Sequence, residues 1–155
     1  MKYTWAAAVC ALAAAGGILM AAATEETSPD LKKDEEAIRA VIQLYFDGII
    51  KYDEEALRKA FHPKANVIGT TNEGAVEWEP FQEWVVYTRG KAPDPAGRNN
   101  AIVSIDVTGR AAVVKTALAW PSVHYTDYLS LLKIDGEWKI VNKIWHREKP
   151  SSQAQ

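Results

Sequence analysis

The last third of the chain constrains the fold most. From Ala101 onward, β-branched and aromatic residues dominate runs that are closed by turn signals. Thr108-Gly109-Arg110 turns between two of these runs, Pro121 punctuates the next pair, and Asp135-Gly136 is a two-residue hairpin signal. The spacing predicts four long antiparallel strands over 101–107, 111–120, 123–134 and 137–147. Such a sheet must bury one face, and the helical segments upstream are available to cover it.

Those segments carry the helical period. Ile38, Val41, Ile42, Tyr45 and Ile49 share one face of an amphipathic helix ending near Lys51. It starts either at Ser28-Pro29, with proline in the first turn, or at Asp34-Glu35-Glu36, with acids at the positive end of the helix dipole. Asp53-Glu54-Glu55 caps a shorter helix that buries Leu57, Ala60 and Phe61, and His62-Pro63 stops it. Ala65 to Gly69 and Ala75 to Trp78 are short strands around the Asn72-Glu73-Gly74 turn. Glu79-Pro80 opens a third helix with Phe81, Trp84, Val85 and Thr88 inside. Residues 89–99, with two prolines and two glycines, read as a loop. The layout is α+β: three N-terminal helices packed on a curved, mainly antiparallel sheet.

The start of the chain has a different character. Lys2, an Ala-rich apolar run and Ala21-Ala22-Ala23 form the pattern of a secretory signal peptide over 1–23, cut after Ala23. A membrane anchor, which needs about 20 apolar residues, is the alternative, and the Ala and Gly content makes this run a weak one. Residues 24–33 read as a polar lead-in, 34–148 as one domain, and 149–155 as a polar tail. The expected address is periplasmic or secreted, with no membrane contact after cleavage.

Losing 1–23 removes one of the 18 basic residues and none of the 20 acids, leaving a net charge of −3. It also removes Cys10, the single cysteine, so a thiol nucleophile and a Cys-based metal site are excluded. The mild acidity and the absence of a basic stripe argue against nucleic acid.

Three stretches carry a family resemblance: Tyr45-Phe46-Asp47-Gly48, the corner Phe61-His62-Pro63-Lys64-Ala65, and Tyr125-Thr126-Asp127-Tyr128-Leu129 leading to Asp135-Gly136-Glu137-Trp138-Lys139-Ile140-Val141-Asn142-Lys143. In this order they resemble the NTF2-like superfamily, which includes ketosteroid isomerases, scytalone dehydratase and SnoaL-type polyketide cyclases. The chain looks most like the group described as putative lumazine-binding proteins, over roughly Glu35 to Arg147. The resemblance implies a cone-shaped fold with a pocket between helices and concave sheet, usually in a homodimer. It does not fix a function.

Strand parity gives the candidate site residues. In the last strand, Lys139, Val141, Lys143, Trp145 and Arg147 share one face, and its bases mark it as outward. Asn142 is then expected inward as a ligand contact, and Trp145 is expected on an outer-face dimer interface. Asp127 shares a face with Tyr125, Leu129, Leu131 and Lys133. Lys133 argues that this face points out, unless a bulge near the strand start reverses it. Asp127 and His124 are the candidate acid/base residues, although three positions apart on a strand they face opposite ways. Tyr45, Trp84, Trp120 and Tyr128 complete the expected ligand-binding set, with Trp84 and Trp120 as flat walls. His62, His124 and His146 have no metal-type spacing, so no metal is expected. His62 is read as holding its corner through a backbone bond.

The expectation is an exported binder of a small aromatic or cyclic organic ligand that uses no cofactor. The alternatives are a cofactor-free isomerase, dehydratase or cyclase using Asp/His proton transfer, and a structural or interaction module with a filled pocket.

Overall fold

The computed structural model describes residues 29–71 and 73–148. Residues 1–23, expected to be an export signal, residues 24–28 of the expected lead-in and the expected tail 149–155 lie outside the described residues. The elements are α1 (Pro29–Lys51), α2 (Glu54–Ala60), β1 (Phe61–Thr70), β2 (Val76–Pro80), α3 (Phe81–Trp84) with a one-turn 3-10 helix (Val85–Thr88), β3 (Asn99–Thr108), β4 (Ala111–Trp120), β5 (Val123–Ile134) and β6 (Glu137–Glu148). This is the α+β layout read from the sequence: helices on one face of a curved six-stranded sheet.

Helix α1 takes the earlier of its two possible starts, so residues 29–33 are its first turns rather than part of a lead-in. Its buried face is Ile38, Ile42, Tyr45, Phe46 and Ile49, which follows the 3.6-residue period. The Asp53 side chain caps α2, accepting from the Ala56 backbone N–H at 3.0 Å. Gly48 lets α2 come close, since a Cβ there would strike Leu57. The Phe61–Phe81 stack, with centroids 4.7 Å apart, ties the start of β1 to α3. His62 Nδ1 accepts from the Lys64 backbone N–H at 3.1 Å, which braces the helix-to-strand corner.

The sheet order is β2-β1-β6-β5-β4-β3. All neighbours are antiparallel except β1 and β6, which run parallel. One irregularity decides the site. Ser130 on β5 lies opposite Asn142 on β6, and the next pair is Leu131 opposite Ile140. Val141 is therefore an extra residue, and a β-bulge of this kind exchanges the faces of everything beyond it. Trp138 and Ile140 are buried before the bulge, and Lys143 is buried after it, while Ile144 is half exposed.

The outward reading of the Lys143, Trp145 and Arg147 face is thereby corrected, as is the inward reading of Asn142. Asn142 sits in a row with Asn66 and Ser130, and Ile144 shares its face. The reading of Asp127's face is corrected too, and for another reason. No bulge is needed in β5, because Lys133 reaches over the end of the sheet to Asp34 in α1, with Nζ to Oδ1 at 2.6 Å. Trp138 Nε1 donates to the same oxygen at 3.1 Å. Asp127, Leu129 and Leu131 thus point into the core.

The Asp53 cap gives a test of this local account. Asp53→Ala is expected to lower unfolding free energy by about 1 kcal/mol, the ordinary cost of losing an N-cap. Urea denaturation reads it, and an unchanged midpoint would show that the cap does not hold α2.

Candidate functional site

The space between the helices and the concave sheet is not filled. A cavity of about 290 Å³ lies between α1, the 3-10 segment, the β1–β2 pair and the upper halves of β4, β5 and β6. Six aromatic residues line it: Tyr45, Trp84, Tyr87, Trp120, Tyr125 and Trp145. Ile49, Val67 and Leu118 complete the apolar wall, and Glu77, Glu79, Lys143 and Arg147 supply charge. A filled cone, the third expectation, does not describe this interior.

The aromatic walls are held from behind. Trp120 Nε1 donates to Asn100 Oδ1 at 2.9 Å, and the Arg98 guanidinium lies 4.1 Å from the Trp120 ring centre. Trp120, Tyr125 and Trp145 meet edge to face in sequence along the sheet, with centroids 5.3 and 6.1 Å apart. Gly69 on β1 gives Trp145 its place, because a Cβ there would collide with the indole. Across the cavity, Trp84 packs on Tyr87 with centroids 4.9 Å apart.

A charged group is buried against one wall. Lys143 Nζ donates to the Tyr45 hydroxyl oxygen at 2.6 Å, and the Tyr45 hydroxyl donates to Asp127 Oδ2 at 2.6 Å. Lys143 Nζ lies 3.4 Å from the same carboxylate oxygen. Three elements converge here: α1 brings Tyr45, β5 brings Asp127, and β6 brings Lys143 only because of the bulge. Asp127 and Tyr45 are wholly buried, and Lys143 is 7% exposed. Lys143 Nζ also lies over two rings, 4.9 Å from the Tyr45 centre and 5.4 Å from that of Trp84.

Burial pushes the Lys143 ammonium below the usual lysine range, outweighing the pull of Asp127 in the opposite direction. Burial, followed by the charge of Asp127, raises Tyr45 well above the usual tyrosine range, so it keeps its proton. Among the described residues, the buried Asp127 Oδ1 has no hydrogen-bond partner. Thr116, directly opposite Asp127 on β4, likewise has a buried hydroxyl without one. Glu79 lines the cavity from the exposed strand β2, where partial desolvation and then the charges of Glu83 and Glu77 hold its carboxyl above its usual range.

Of the residues singled out from sequence, Tyr45, Trp84 and Trp120 line this cavity, and Asp127 stands directly behind it. His124, Tyr128 and Asn142 do not line it. Tyr128 is 45% exposed, on the outer face beside Lys115. Trp145 belongs to the cavity wall and not to an outer interface. Lys143, Glu79, Tyr125 and Arg147 were missed as site residues. Among the described residues, no group of three His, Cys, Asp or Glu side chains could hold a metal ion. No helix among them is long and apolar enough to cross a membrane.

The fold and its cavity define an NTF2-like α+β protein. The family described as "Putative lumazine-binding" matches residues 33–146, and the chain belongs to that family. It is similar to a protein named aldolase FrzH from Cladobotryum sp., at 27% identity over 113 residues, covering 72% of this chain and 89% of that one. An NTF2-like protein of unknown function from Shewanella baltica OS155 superposes with a TM-score of 0.70 at 29% identity, covering 77% of this chain and 97% of that one. Another from Methylobacillus flagellatus KT gives 0.68 at 26% identity, covering 79% and 96%.

Removing one member of a buried ion pair leaves an uncompensated charge. Asp127→Asn and Lys143→Met are each expected to destabilise by about 3–5 kcal/mol. The double variant should lose less than the sum, by about 0.5–3 kcal/mol. Urea unfolding of the four proteins measures the coupling, and strict additivity would mean that the two charges do not sense each other.

Proposed function

We propose that this protein is a cofactor-free enzyme that takes a small cyclic or aromatic carbonyl compound into the cavity and moves a proton on it. The observation that carries this reading is the Lys143–Tyr45–Asp127 chain buried against the aromatic cavity. A buried ion pair is weak as a stabilising device, since apolar residues of similar volume often serve as well. Lys143 and Tyr45, whose affinities for protons burial shifts, hydrogen-bonded in a chain to a carboxylate beside a cavity, are what proton-transfer chemistry needs.

The roles follow from position. Lys143 faces the cavity and can hold a carbonyl oxygen, taking up negative charge as a neighbouring C–H bond breaks. Glu79 lines the same cavity and, with its carboxyl held above the usual range, suits the part of general base. Tyr45 and Asp127 orient Lys143 and balance its charge. His124, expected as an acid/base residue, lies outside this arrangement. The similarity to a protein named an aldolase supports chemistry at a carbon next to a carbonyl. The six aromatic walls favour a flat ring, and the volume suits a compound of one or two rings.

A second reading is binding without turnover, with a flat heteroaromatic ring as ligand. The aromatic lining and the family's description support it. In either case the protein acts outside the cytoplasm, if residues 1–23 serve as an export signal, and it pairs with a second copy. The outer sheet face expected for the dimer contact stays the proposed one, without Trp145; Val113, Tyr128, Leu132 and Ile144 are the exposed apolar residues there.

Native mass spectrometry of the protein from its own host reads several of these points together. A chain starting at Thr24, a dimer mass and a co-purifying cyclic compound are expected; a chain retaining residues 1–23 would remove the export reading, and a monomer would remove the pairing. Catalysis is read separately by α-proton exchange into D2O of bound cyclohexanone or benzyl methyl ketone, followed by proton NMR. Wild type is expected to accelerate exchange, and Glu79→Gln to reduce the acceleration by about 100-fold or more. Binding, followed as quenching of the cavity tryptophans, without any exchange would leave the binding reading in its place.

A further inference from the structure

We propose that Lys143 is a covalent nucleophile, forming a Schiff base with the carbonyl carbon of the bound compound while Asp127, reached through Tyr45, stores the proton. This rests on the reading of the cavity as a site for a small carbonyl compound, and deepens it.

The geometry supplies each requirement. Imine formation needs an amine in contact with the bound carbonyl. Among the described residues, the two basic side chains lining the cavity are Lys143 and Arg147, and a guanidinium is not an imine-forming amine. Lys143 is buried among rings, with Tyr45 and Trp84 against its nitrogen, so the amine is desolvated and fixed in direction. A route for its proton already exists. The 2.6 Å contact from Nζ to Tyr45 and the 2.6 Å contact from Tyr45 to Asp127 form one relay, along which a proton passes without any side chain moving far. The second carboxylate oxygen, Oδ1, is buried and without a partner. Burial also favours the uncharged amine.

The step balances. At rest the pair is an ammonium and a carboxylate. One proton moves from Lys143 through Tyr45 to Asp127. The neutral amine attacks the carbonyl carbon; a C–N bond forms and the C=O π electrons go to oxygen. A proton moves from nitrogen to that oxygen, giving a carbinolamine. The proton held on Asp127 then returns to the hydroxyl, which leaves as water while the nitrogen lone pair closes the C=N bond. Overall, one ammonium and one carbonyl give one iminium and one water. No oxidant, reductant or cofactor is consumed. The iminium faces the same Asp127 carboxylate as the ammonium did, so the charge of the buried site is the same before and after. That iminium is a stronger electron sink than a hydrogen-bonded carbonyl, and it serves cleavage of an adjacent C–H or C–C bond equally.

The test is reductive trapping. Wild-type protein is incubated with cyclohexanone, and separately with benzaldehyde, in the presence of cyanoborohydride, then mapped by peptide mass spectrometry. The expected result is one reduced adduct on the peptide carrying Lys143, formed at least tenfold faster than adducts on surface lysines. Lys143→Arg keeps the cation and removes the amine; circular dichroism confirms its folding, and both trapping and proton exchange are expected to be lost. Tyr45→Phe breaks the relay and should slow trapping about tenfold or more without moving the adduct elsewhere. A probe that quenches the cavity tryptophans but leaves Lys143 unmodified overturns the proposal. So does proton exchange that survives in Lys143→Arg, and in that case the cavity reading stands and Lys143 acts as a cation. If neither probe binds, the cavity reading itself fails.

Discussion

The interior is organised around one contact that is expensive in isolation: an ammonium and a carboxylate taken out of water together. Desolvating either charge costs several kcal/mol, and the pair is tolerable only when the geometry is good and the remaining polar atoms are satisfied. Here the geometry is good on one side only. Asp127 Oδ2 receives both Tyr45 and Lys143, whereas Oδ1 receives nothing. The rings of Tyr45 and Trp84 offer the Lys143 cation some compensation. A site optimised purely for stability would have satisfied Oδ1 or replaced the trio with apolar side chains. The partly satisfied arrangement is the feature that the proposed proton-transfer role would account for.

That contact depends on a single β-bulge. Were Val141 held in regular register instead, the face of β6 that buries Trp138 and Ile140 would continue inward through Asn142 and Ile144. Lys143, Trp145 and Arg147 would then point to solvent. The bulge exchanges these sets midway along the strand. The lower half of β6 therefore builds core, and the upper half builds cavity. Local backbone irregularity is how one strand supplies both an apolar floor and a charged wall.

This division also explains what could be read from the sequence. The period of α1, the Asp53 cap, the Asp135-Gly136 turn and the four long strands were all legible, because each is encoded by neighbours in sequence. The family resemblance gave the cone, and the need of a flat ligand for flat apolar walls singled out Trp84 and Trp120. The facing of the strand residues was not legible, for two physical reasons. A bulge in a strand of mixed polar and apolar residues leaves no compositional mark, so nothing distinguishes Val141 from its neighbours. A long basic side chain is also a poor guide to which face is wet. Lys133 shares the inward face with Asp127 because its amine travels to Asp34 at the start of α1. Lys143 is inside because its partner comes from a strand paired to its own and its relay from a helix far away in sequence. Trp145, read as an outer-face aromatic beside two bases, was the one residue whose apolar bulk argued against an exposed face.

The same arrangement bears on how a fold with many functions acquires one. The NTF2-like cone provides a cavity and flat walls, and the chemistry belongs to whichever side chains the sheet turns into it. In this chain the histidines stand outside the cavity, and the titratable centre is lysine, tyrosine and aspartate. A tyrosine between the other two does what a direct lysine–aspartate contact alone would not. It keeps its own proton, since burial and the nearby carboxylate both oppose ionisation. It can therefore pass a proton in either direction while remaining neutral. Asp127 is not part of the cavity lining but stands 3.4 Å from the nitrogen of Lys143, which does line it, and so balances the cation that nitrogen carries. In either role proposed for that nitrogen, holding an oxygen or bonding to carbon, the buried charge would stay balanced throughout. That constancy is the physical condition for running polar chemistry inside an aromatic cavity.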